Sequence, residues 1–272
     1  MMTRGARRIL TFWLPLAAIL IFFVFPFAWM LMGSFKTQAD FMSYPPKWLF
    51  RPTLMNYKAV FVGSQFPQFA LNSLIIALGS TVLGLVLGIP AAYSIARYRQ
   101  RRLGVALLTA RMAPGIALLV PWFIFFSRLH MLDTYFAVML THMTVVLPLV
   151  IWVLVGFFED VSPELEEAAQ IDGCSRVTQF YRITLPIVSA GIMATAILGI
   201  IASWNNFLFS LVVTGDSTRT LPVAVFNYMQ YDALNWGSLT AASTIITLPV
   251  LAMVFFIQKY IVRGMSFGAL KG

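Results

Sequence analysis

The acidic residues of this chain are concentrated in one short polar stretch. Charged residues make up only 11% of the composition, yet six of the ten acids lie between positions 159 and 172. These are Glu159, Asp160, Glu164, Glu166, Glu167 and Asp172. Carboxylates grouped in this way are either solvated or offer hydrogen-bond acceptors to the surface of a partner. The residues alone leave both interpretations open.

The local sequence of this stretch predicts a helix, a sharp turn and a second helix. Ser162 is a helix-capping residue, and Pro163 and Glu164 suit the first turn, where the helix dipole is positive. Gly173 stands where a helix would end in a left-handed conformation, and Ser175 can cap the helix that follows.

The first predicted helix carries the groups that could meet another protein. Ala168 and Ala169 are small enough to allow another backbone to approach closely. Glu167 and Asp172 place acceptors beside them. The expected element is rigid, but its residues do not name a partner.

Other chemistry has little support in the sequence. No GxxxxGK[ST] motif is present, and "GSTVLGLVLG" lacks the lysine that would hold a phosphate. The single cysteine, Cys174, allows no disulfide within the chain, and His130 and His142 are too few and too far apart for a dedicated metal site. We therefore expect no cofactor or metal on this chain and no catalytic constellation. His142 is expected to be a hydrogen-bonded interior residue.

The composition indicates a membrane protein. Hydrophobic residues make up 60% of the chain, which includes 24 Phe and 7 Trp. Long apolar segments without two-residue alternation predict membrane-spanning helices, each able to cross roughly 30 Å of hydrocarbon. The predicted fold class is an all-α integral membrane protein with six transmembrane helices in a single domain, 1–272. The spans are about 9–35, 70–96, 103–128, 135–158, 186–212 and 238–262, with a polar loop at about 159–185.

The distribution of Lys and Arg predicts the orientation of these spans. With the N-terminus inside, twelve basic residues lie on the inner side and six on the outer side, and the short turn "RYRQRR" contributes strongly to this bias. Both termini and the polar loop are therefore expected in the cytoplasm. The sequence pI near 10.0 follows from this pattern and does not imply nucleic acid.

Two further groups of residues are candidates for contact with a solute or a partner. Trp204, Asn205 and Asn206 form a polar-aromatic cluster inside a span, where they either line a pathway or join helices. Arg111, also inside a span, either faces a cavity or extends to the inner surface. The predicted outer loop at about 213–237 is polar and aromatic and is either a solvated connector or a contact loop. Its candidate contact residues are Asn227, Tyr228, Gln230, Tyr231 and Asp232.

The stretch "EAAQIDGCSRVTQFYRITLP" resembles the EAA motif of binding-protein-dependent ABC importer permeases. In that motif EAA is followed by three residues, a Gly, nine residues and I-x-LP. Every fixed position matches, and Asp172 completes the usual DG pair. The matching residues are Glu167, Ala168, Ala169, Gly173, Ile183, Leu185 and Pro186. Segments such as "SWNNFLFSL" and the ending "VRGMSFGALKG" are similar to the carbohydrate-uptake subgroup and its maltose permease subunit.

The resemblance implies a function and a set of partners. The expected fold is the type I ABC importer permease (MetI-like) fold, and the EAA loop is expected to be the coupling element that docks on an ATPase. Implied partners are a second homologous permease, an ATPase homodimer or heterodimer that binds ATP and Mg, a periplasmic or tethered solute-binding protein, and membrane lipid. The implied activity is import of a sugar or sugar derivative across the bacterial cytoplasmic membrane by alternating access.

Two other functions agree less well with the sequence. An ion-coupled secondary transporter would need acids at the centres of its spans, and no predicted span centre carries Asp or Glu. A membrane-embedded enzyme would need a catalytic constellation. The sequence also departs from the commonest family pattern at Cys174, usually Ala, and at Asn206, where many relatives carry Glu.

Overall fold

The structure is a computed structural model that describes residues 9–62, 64–111, 114–227, 229 and 235–268. Regular secondary structure in these residues is entirely helical. Five-residue π-helical turns at Ile9–Trp13 and Phe180–Thr184 accompany the α-helices. The α-helices are α1 (Leu14–Ser34), α2 (Gln38–Phe41), α3 (Met55–Val62), α4 (Phe66–Arg97), α5 (Arg101–Arg111), α6 (Gly115–Arg128), α7 (Tyr135–Glu159), α8 (Pro163–Ile171), α9 (Arg176–Gln179), α10 (Leu185–Ile187), α11 (Ser189–Trp204), α12 (Leu208–Val213), α13 (Leu221–Asn227) and α14 (Trp236–Gly268).

The chain divides into two compact units. The first comprises Met1–Pro67 and Val225–Leu248, and the second comprises Gln68–Ala224 and Pro249–Gly272. The polar loop, the Trp204–Asn205–Asn206 cluster and Arg111 all belong to the second unit.

In the first unit, α1 has a broad exposed apolar surface, and a buried lysine orders the segment that follows it. Lys36 is only 2% exposed. Its ammonium donates to the Lys47 carbonyl at 2.7 Å and lies about 5 Å from the ring centroids of Trp29 and Phe50. A hydrogen bond and two aromatic faces thus stabilise the buried charge.

The second unit is built around the packing of α4 on α7. Two glycines of α4 mark the close approach of the helices. A Cβ atom at Gly79 would lie 2.5 Å from the side chain of Met139, and one at Gly88 would lie 2.5 Å from that of Val150. Because Val150 has a stiff β-branched side chain, a larger residue at Gly88 would force the helices apart. These glycines therefore serve the packing of α4 on α7.

Four helical segments of the described residues are long and apolar enough to cross a membrane. They are Thr11–Ser34, Phe66–Arg97, Tyr135–Glu159 and Trp236–Gln258. They coincide with the first, second, fourth and sixth predicted spans. A fifth candidate is a helix pair, Arg176–Ile187 and Ser189–Trp204, with a bend of 73° between its members.

The other two predicted spans are interrupted in the structure. The stretch 103–128 is divided into α5 and α6, with Pro114 immediately before α6. The stretch 186–212 is divided into α10, α11 and α12, and Asn205 and Asn206 lie in the second interruption. Proline has no backbone N–H to donate, and asparagine side chains compete for backbone hydrogen bonds, so both favour helix ends.

Candidate functional site

The polar loop has the predicted helix–turn–helix structure. The Ser162 hydroxyl accepts a hydrogen bond from the Glu164 backbone N–H at 3.3 Å, and Pro163 is the first residue of α8. Ser175 caps α9 by accepting from the Thr178 N–H at 3.2 Å. The capping residues expected from the sequence are thus confirmed.

The turn between α8 and α9 depends on Gly173. This residue has a φ of +83°, a conformation that residues with a side chain rarely adopt. Its N–H donates to the Gln170 carbonyl at 3.0 Å, and the Cys174 N–H donates to the Ala169 carbonyl at 2.9 Å. These two bonds form a Schellman motif, which satisfies carbonyls at the end of α8. The motif fixes the direction in which the chain leaves the helix.

Glu166 anchors the loop to the spans. Its side chain is buried, and its Oε1 accepts hydrogen bonds from Arg97 Nε and Thr184 Oγ1, both at 2.8 Å. Oε2 accepts a bond from the Tyr93 hydroxyl at 3.3 Å. Arg97 Nη2 is 2.7 Å from Oε1 without hydrogen-bond geometry, so its contribution is electrostatic attraction. Nη1 of the same guanidinium donates to the Val161 carbonyl at 3.1 Å.

This anchor joins three parts of the second unit. Tyr93 and Arg97 lie in the last turns of α4, Glu166 lies in α8, and Thr184 lies in the π-helical turn before α10. Because Glu166 and Arg97 are both largely buried, their attraction is screened far less than that of a surface pair. The centre of the loop is therefore fixed to other helical elements of the second unit.

The outer face of the loop carries most of the residues predicted to couple to an ATPase. Glu167, Ala168, Asp172 and Gly173 are exposed. Ile183 and Leu185 are half-buried, and Pro186 is exposed. Large apolar side chains are exposed on the same loop, namely Leu165, Ile171, Val177 and Tyr181. Carboxylates next to exposed apolar residues make a surface suited to protein contact.

Ala169 differs from its expected role. The sequence predicts that Ala169 faces a partner beside Ala168, whereas it is only 6% exposed and lies on the inner face of α8 with Glu166. The spacing of three residues places Glu166 and Ala169 on the same side of the helix. Glu166 is not among the residues that the sequence predicts to be functional. The buried alanine three residues later is the local signal that favours Glu166 over Glu167 for an inward position.

The polar-aromatic cluster is divided among different environments. Trp204 is buried at the end of α11, and the Asn205 side chain is exposed. Asn206 is half-buried, and its Oδ1 accepts from the Phe209 N–H at 3.3 Å. Asn206 therefore satisfies a backbone N–H in the first turn of α12. Arg111 is the last residue of α5, and its side chain lies outside the described part of the structure.

The predicted outer loop begins with a segment held from two sides. The Asp133 carboxylate accepts hydrogen bonds of 2.8, 3.0 and 2.8 Å from the N–H groups of Gly215, Ser217 and Thr218. It also accepts a bond from the Thr218 hydroxyl at 2.6 Å. Partial burial alone would raise the pKa of Asp133, but these hydrogen bonds outweigh burial and lower the pKa to about 2.

Asn72 binds the backbone carbonyl groups of the same segment. Its Nδ2 donates to the Ser217 and Arg219 carbonyls, both at 3.0 Å, and its Oδ1 accepts from the Tyr135 hydroxyl at 2.7 Å. Neither Asp133 nor Asn72 was predicted from the sequence. Asn227 ends α13, but its side chain is not described. The other candidate contact residues, Tyr228, Gln230, Tyr231 and Asp232, lie outside the described residues.

Comparison with known proteins identifies the family. The family model for the binding-protein-dependent transport system inner membrane component matches residues 84–267, which include the whole polar loop. The chain belongs to this family. As a permease subunit it is not itself an enzyme, because the ATPase of such a transporter is a separate subunit.

Individual relatives extend the match over nearly the whole permease. It is 38% identical over 273 residues to the probable ABC transporter permease protein y4oR of Sinorhizobium fredii, covering 99% of this chain and 98% of that one. It is 37% identical to the trehalose/maltose transport system permease protein MalG of Thermococcus litoralis, covering 92% of each chain. It is 32% identical to the diacetylchitobiose uptake system permease protein DasC of Streptomyces coelicolor, covering 96% of this chain and 97% of that one.

A solved structure confirms the fold. One chain of a bacterial ABC transporter involved in the import of the acidic polysaccharide alginate superposes with a TM-score of 0.75 and 17% identity, covering 96% of this permease and 99% of that chain. The all-α ABC importer permease fold expected from the sequence is thus confirmed.

Proposed function

We propose that this permease imports a sugar or sugar derivative across the bacterial inner membrane. Two relatives that match nearly the whole chain are named for the uptake of trehalose and maltose or of diacetylchitobiose. The chemistry of the helix interruption at residues 205–207 suits the same class of solute, because an exposed amide and neighbouring aromatic residues can contact hydroxyl groups and sugar faces.

The polar loop is the coupling element of the proposed importer. ATP and Mg bind to an ATPase dimer, and the loop of each of two homologous permeases docks on that dimer. Glu167, Ala168, Asp172 and Gly173 supply the docking surface on this chain. When ATP closes the dimer, the loops are drawn together, and the spans open to the outer side.

The anchor at Glu166 is the observation that best supports this mechanism. A docked surface can move spans only if it is firmly attached to them. The carboxylate of Glu166 connects α8 directly to the end of the long apolar helix α4 and to the turn before α10. Force applied to the exposed face of the loop therefore reaches both elements through the 2.8 Å hydrogen bonds that Arg97 and Thr184 donate to the buried Glu166 side chain.

The remaining candidate residues belong to the solute route. Asn205, together with Trp204, Asn206 and Arg111, is assigned to the pathway, with Asn205 as the exposed amide of the group. The loop containing Asn227, Tyr228, Gln230, Tyr231 and Asp232 is assigned to contact with a periplasmic or tethered solute-binding protein. Asp133 and Asn72 hold residues 215–219, at the start of the predicted outer loop, by hydrogen bonds.

Substitution of Gly173 tests the proposal. A side chain at a positive φ costs about 1 kcal/mol or more. A Cβ atom at Gly173 would have no neighbouring atom within 4 Å, so the backbone conformation is the main source of strain. Gly173→Asp also adds negative charge to an acidic loop, and we expect it to weaken coupling strongly without preventing membrane insertion.

The assay should measure assembly and transport separately. The permease is expressed with its companion permease, ATPase and binding protein, and co-purification of the ATPase is measured alongside uptake of radiolabelled trehalose, maltose and diacetylchitobiose. Cys174→Ala, a small substitution in the same turn, is the matched control and should leave both unchanged. Retention of the ATPase and full uptake in Gly173→Asp would refute the coupling role. If the unmodified transporter takes up none of the three sugars, the proposal that it imports sugars of this kind is refuted.

A further inference from the structure

A buried histidine bridges the interruption between α11 and α12. His142 of α7 is 1% exposed. Its Nδ1 is 2.7 Å from the Ser203 hydroxyl oxygen, and its Nε2 is 3.0 Å from the Ser210 hydroxyl oxygen. Ser203 lies in the last turn of α11 and Ser210 in the first turn of α12. One imidazole ring therefore holds both sides of the interruption.

The hydrogen bonds around this ring have a definite direction. The Ser210 hydroxyl donates its only proton to the Asn206 carbonyl at 2.9 Å. Its oxygen must therefore accept from the imidazole, which places a proton on Nε2 of His142. In a neutral ring Nδ1 is then an acceptor, and it receives the proton of Ser203.

A third hydroxyl completes the chain. Ser80 of α4 donates to the Ser203 oxygen at 2.9 Å, a bond that Ser203 can accept while its own proton points to the ring. The resulting order runs from Ser80 through Ser203 and His142 to Ser210. Each ring nitrogen then has a hydroxyl partner, so the neutral ring fits without an unsatisfied nitrogen.

The interruption itself needs such support. Backbone groups released from helical hydrogen bonding in an apolar span must find other partners. The Phe209 N–H donates to the Asn206 side chain, and the Asn206 carbonyl accepts from the Ser210 hydroxyl, which the ring holds in turn. Loss of the ring would leave Ser203 and Ser210 unpaired on one side and would allow the two helix ends to rotate.

We infer that His142 is a positioning residue that, as a neutral Nε2-protonated imidazole, fixes the interruption and keeps the Asn205 amide exposed. This role rests on the proposed pathway function of Asn205, but it makes a separate structural claim. If His142 served only helix packing, any side chain of similar volume could replace it. Positioning requires the two ring nitrogens to act in opposite senses, one as donor and one as acceptor.

Nitrogen spectroscopy tests the protonation pattern directly. The chain has two histidines, and His130→Asn leaves His142 alone; His130 has a φ of +54°, which Asn tolerates. The permease labelled with ¹⁵N-histidine is assembled with unlabelled partner subunits and reconstituted in liposomes near pH 7. We expect one protonated and one unprotonated ring nitrogen, with the proton on Nε2. A doubly protonated ring, or a proton on Nδ1, would overturn the inference.

Thiol labelling tests the positioning of Asn205. In a Cys174→Ser background, Asn205→Cys provides the only cysteine, and the rate of its reaction with N-ethylmaleimide reports its exposure. His142→Phe keeps a ring but removes both nitrogens, and we expect the rate to change by about fivefold or more, the factor that corresponds to loss of one hydrogen bond. Thr141→Val, at the preceding buried position, removes a hydroxyl that donates to the Val138 carbonyl of its own helix, and it should leave the rate unchanged.

A second variant covers the case in which His142→Phe fails to assemble. Ser210→Ala retains the imidazole but removes its partner on α12, and we expect it to change the labelling rate in the same direction. Labelling that is unchanged in every variant that assembles would overturn the positioning role. That result would leave the importer function intact, because neither measurement depends on transport or on the identity of the sugar.

Discussion

The adjacent residues Glu166 and Glu167 have opposite environments. Glu166 is buried among Tyr93, Arg97 and Thr184, whereas Glu167 is exposed on the outer face of α8. One step along a helix turns the side chain by about 100°, which is enough to move it from the inner face to the outer face. The first carboxylate stabilises the loop, and the second is available to a partner.

Substitution of each glutamate should therefore have a different effect. Glu166→Ala leaves Arg97 buried without its counter-charge, and we expect it to lower the free energy of unfolding by about 3–5 kcal/mol. Glu167→Ala removes an exposed carboxylate and should change that quantity by no more than about 0.5 kcal/mol while weakening ATPase co-purification. Thermal unfolding of the purified permease in detergent measures the first effect. Equal destabilisation by the two substitutions would contradict the assigned environments.

At the scale of single elements, the stability of the folded segment 215–219 should decrease in acid. The folded-state pKa of Asp133, about 2, is below the ordinary value of 3.8. Its carboxylate therefore stabilises the folded segment above about pH 5, and this stabilisation is lost as the pH falls from about 4 towards 2. After allowance for solvent screening, the contribution is about 1–2 kcal/mol.

Amide hydrogen exchange measures this contribution. Asp133→Asn should reduce the protection of the Gly215, Ser217 and Thr218 amides at neutral pH, and it should remove the acid dependence of that protection after correction for intrinsic exchange. Asp216→Asn is the control, because the Asp216 side chain is 91% exposed and pairs only with Arg219 among the described residues. Equal loss of protection in both variants would mean that net charge, and not the Asp133 hydrogen bonds, holds the segment.

The sequence predicts those structural elements that are determined by residues close to one another in the chain. Ser162, Gly173 and Ser175 fix the helix ends of the polar loop through atoms within five residues of each other, so their roles could be read directly. The partners of Glu166, Asp133 and His142 lie on other helices, and residue type alone does not specify them. The interruptions at Pro114 and at Asn205–Asn206 were missed because hydropathy averaged over a whole span remains high when a few residues leave the helix.

At the scale of the whole molecule, the orientation in the membrane remains a prediction. The excess of Lys and Arg on one side predicts both termini and the polar loop in the cytoplasm. Reporter fusions after Lys47 and after Asp216 should be active on the periplasmic side, and a fusion after Arg101 on the cytoplasmic side. A cytoplasmic signal after Lys47 would reverse the orientation and remove the polar loop from contact with an ATPase.

The buried position of Glu166 limits how this permease can be recombined with its relatives. The docking segment appears in the sequence as a self-contained module from Ser162 to Pro186, but two of the groups that hold it, Tyr93 and Arg97, come from a helix far upstream. In a chimaera that exchanges only this module, the foreign segment would pack against an α4 helix whose residues are not adapted to it. Engineering a permease to use another transporter's ATPase therefore requires the end of α4 to be exchanged together with the loop.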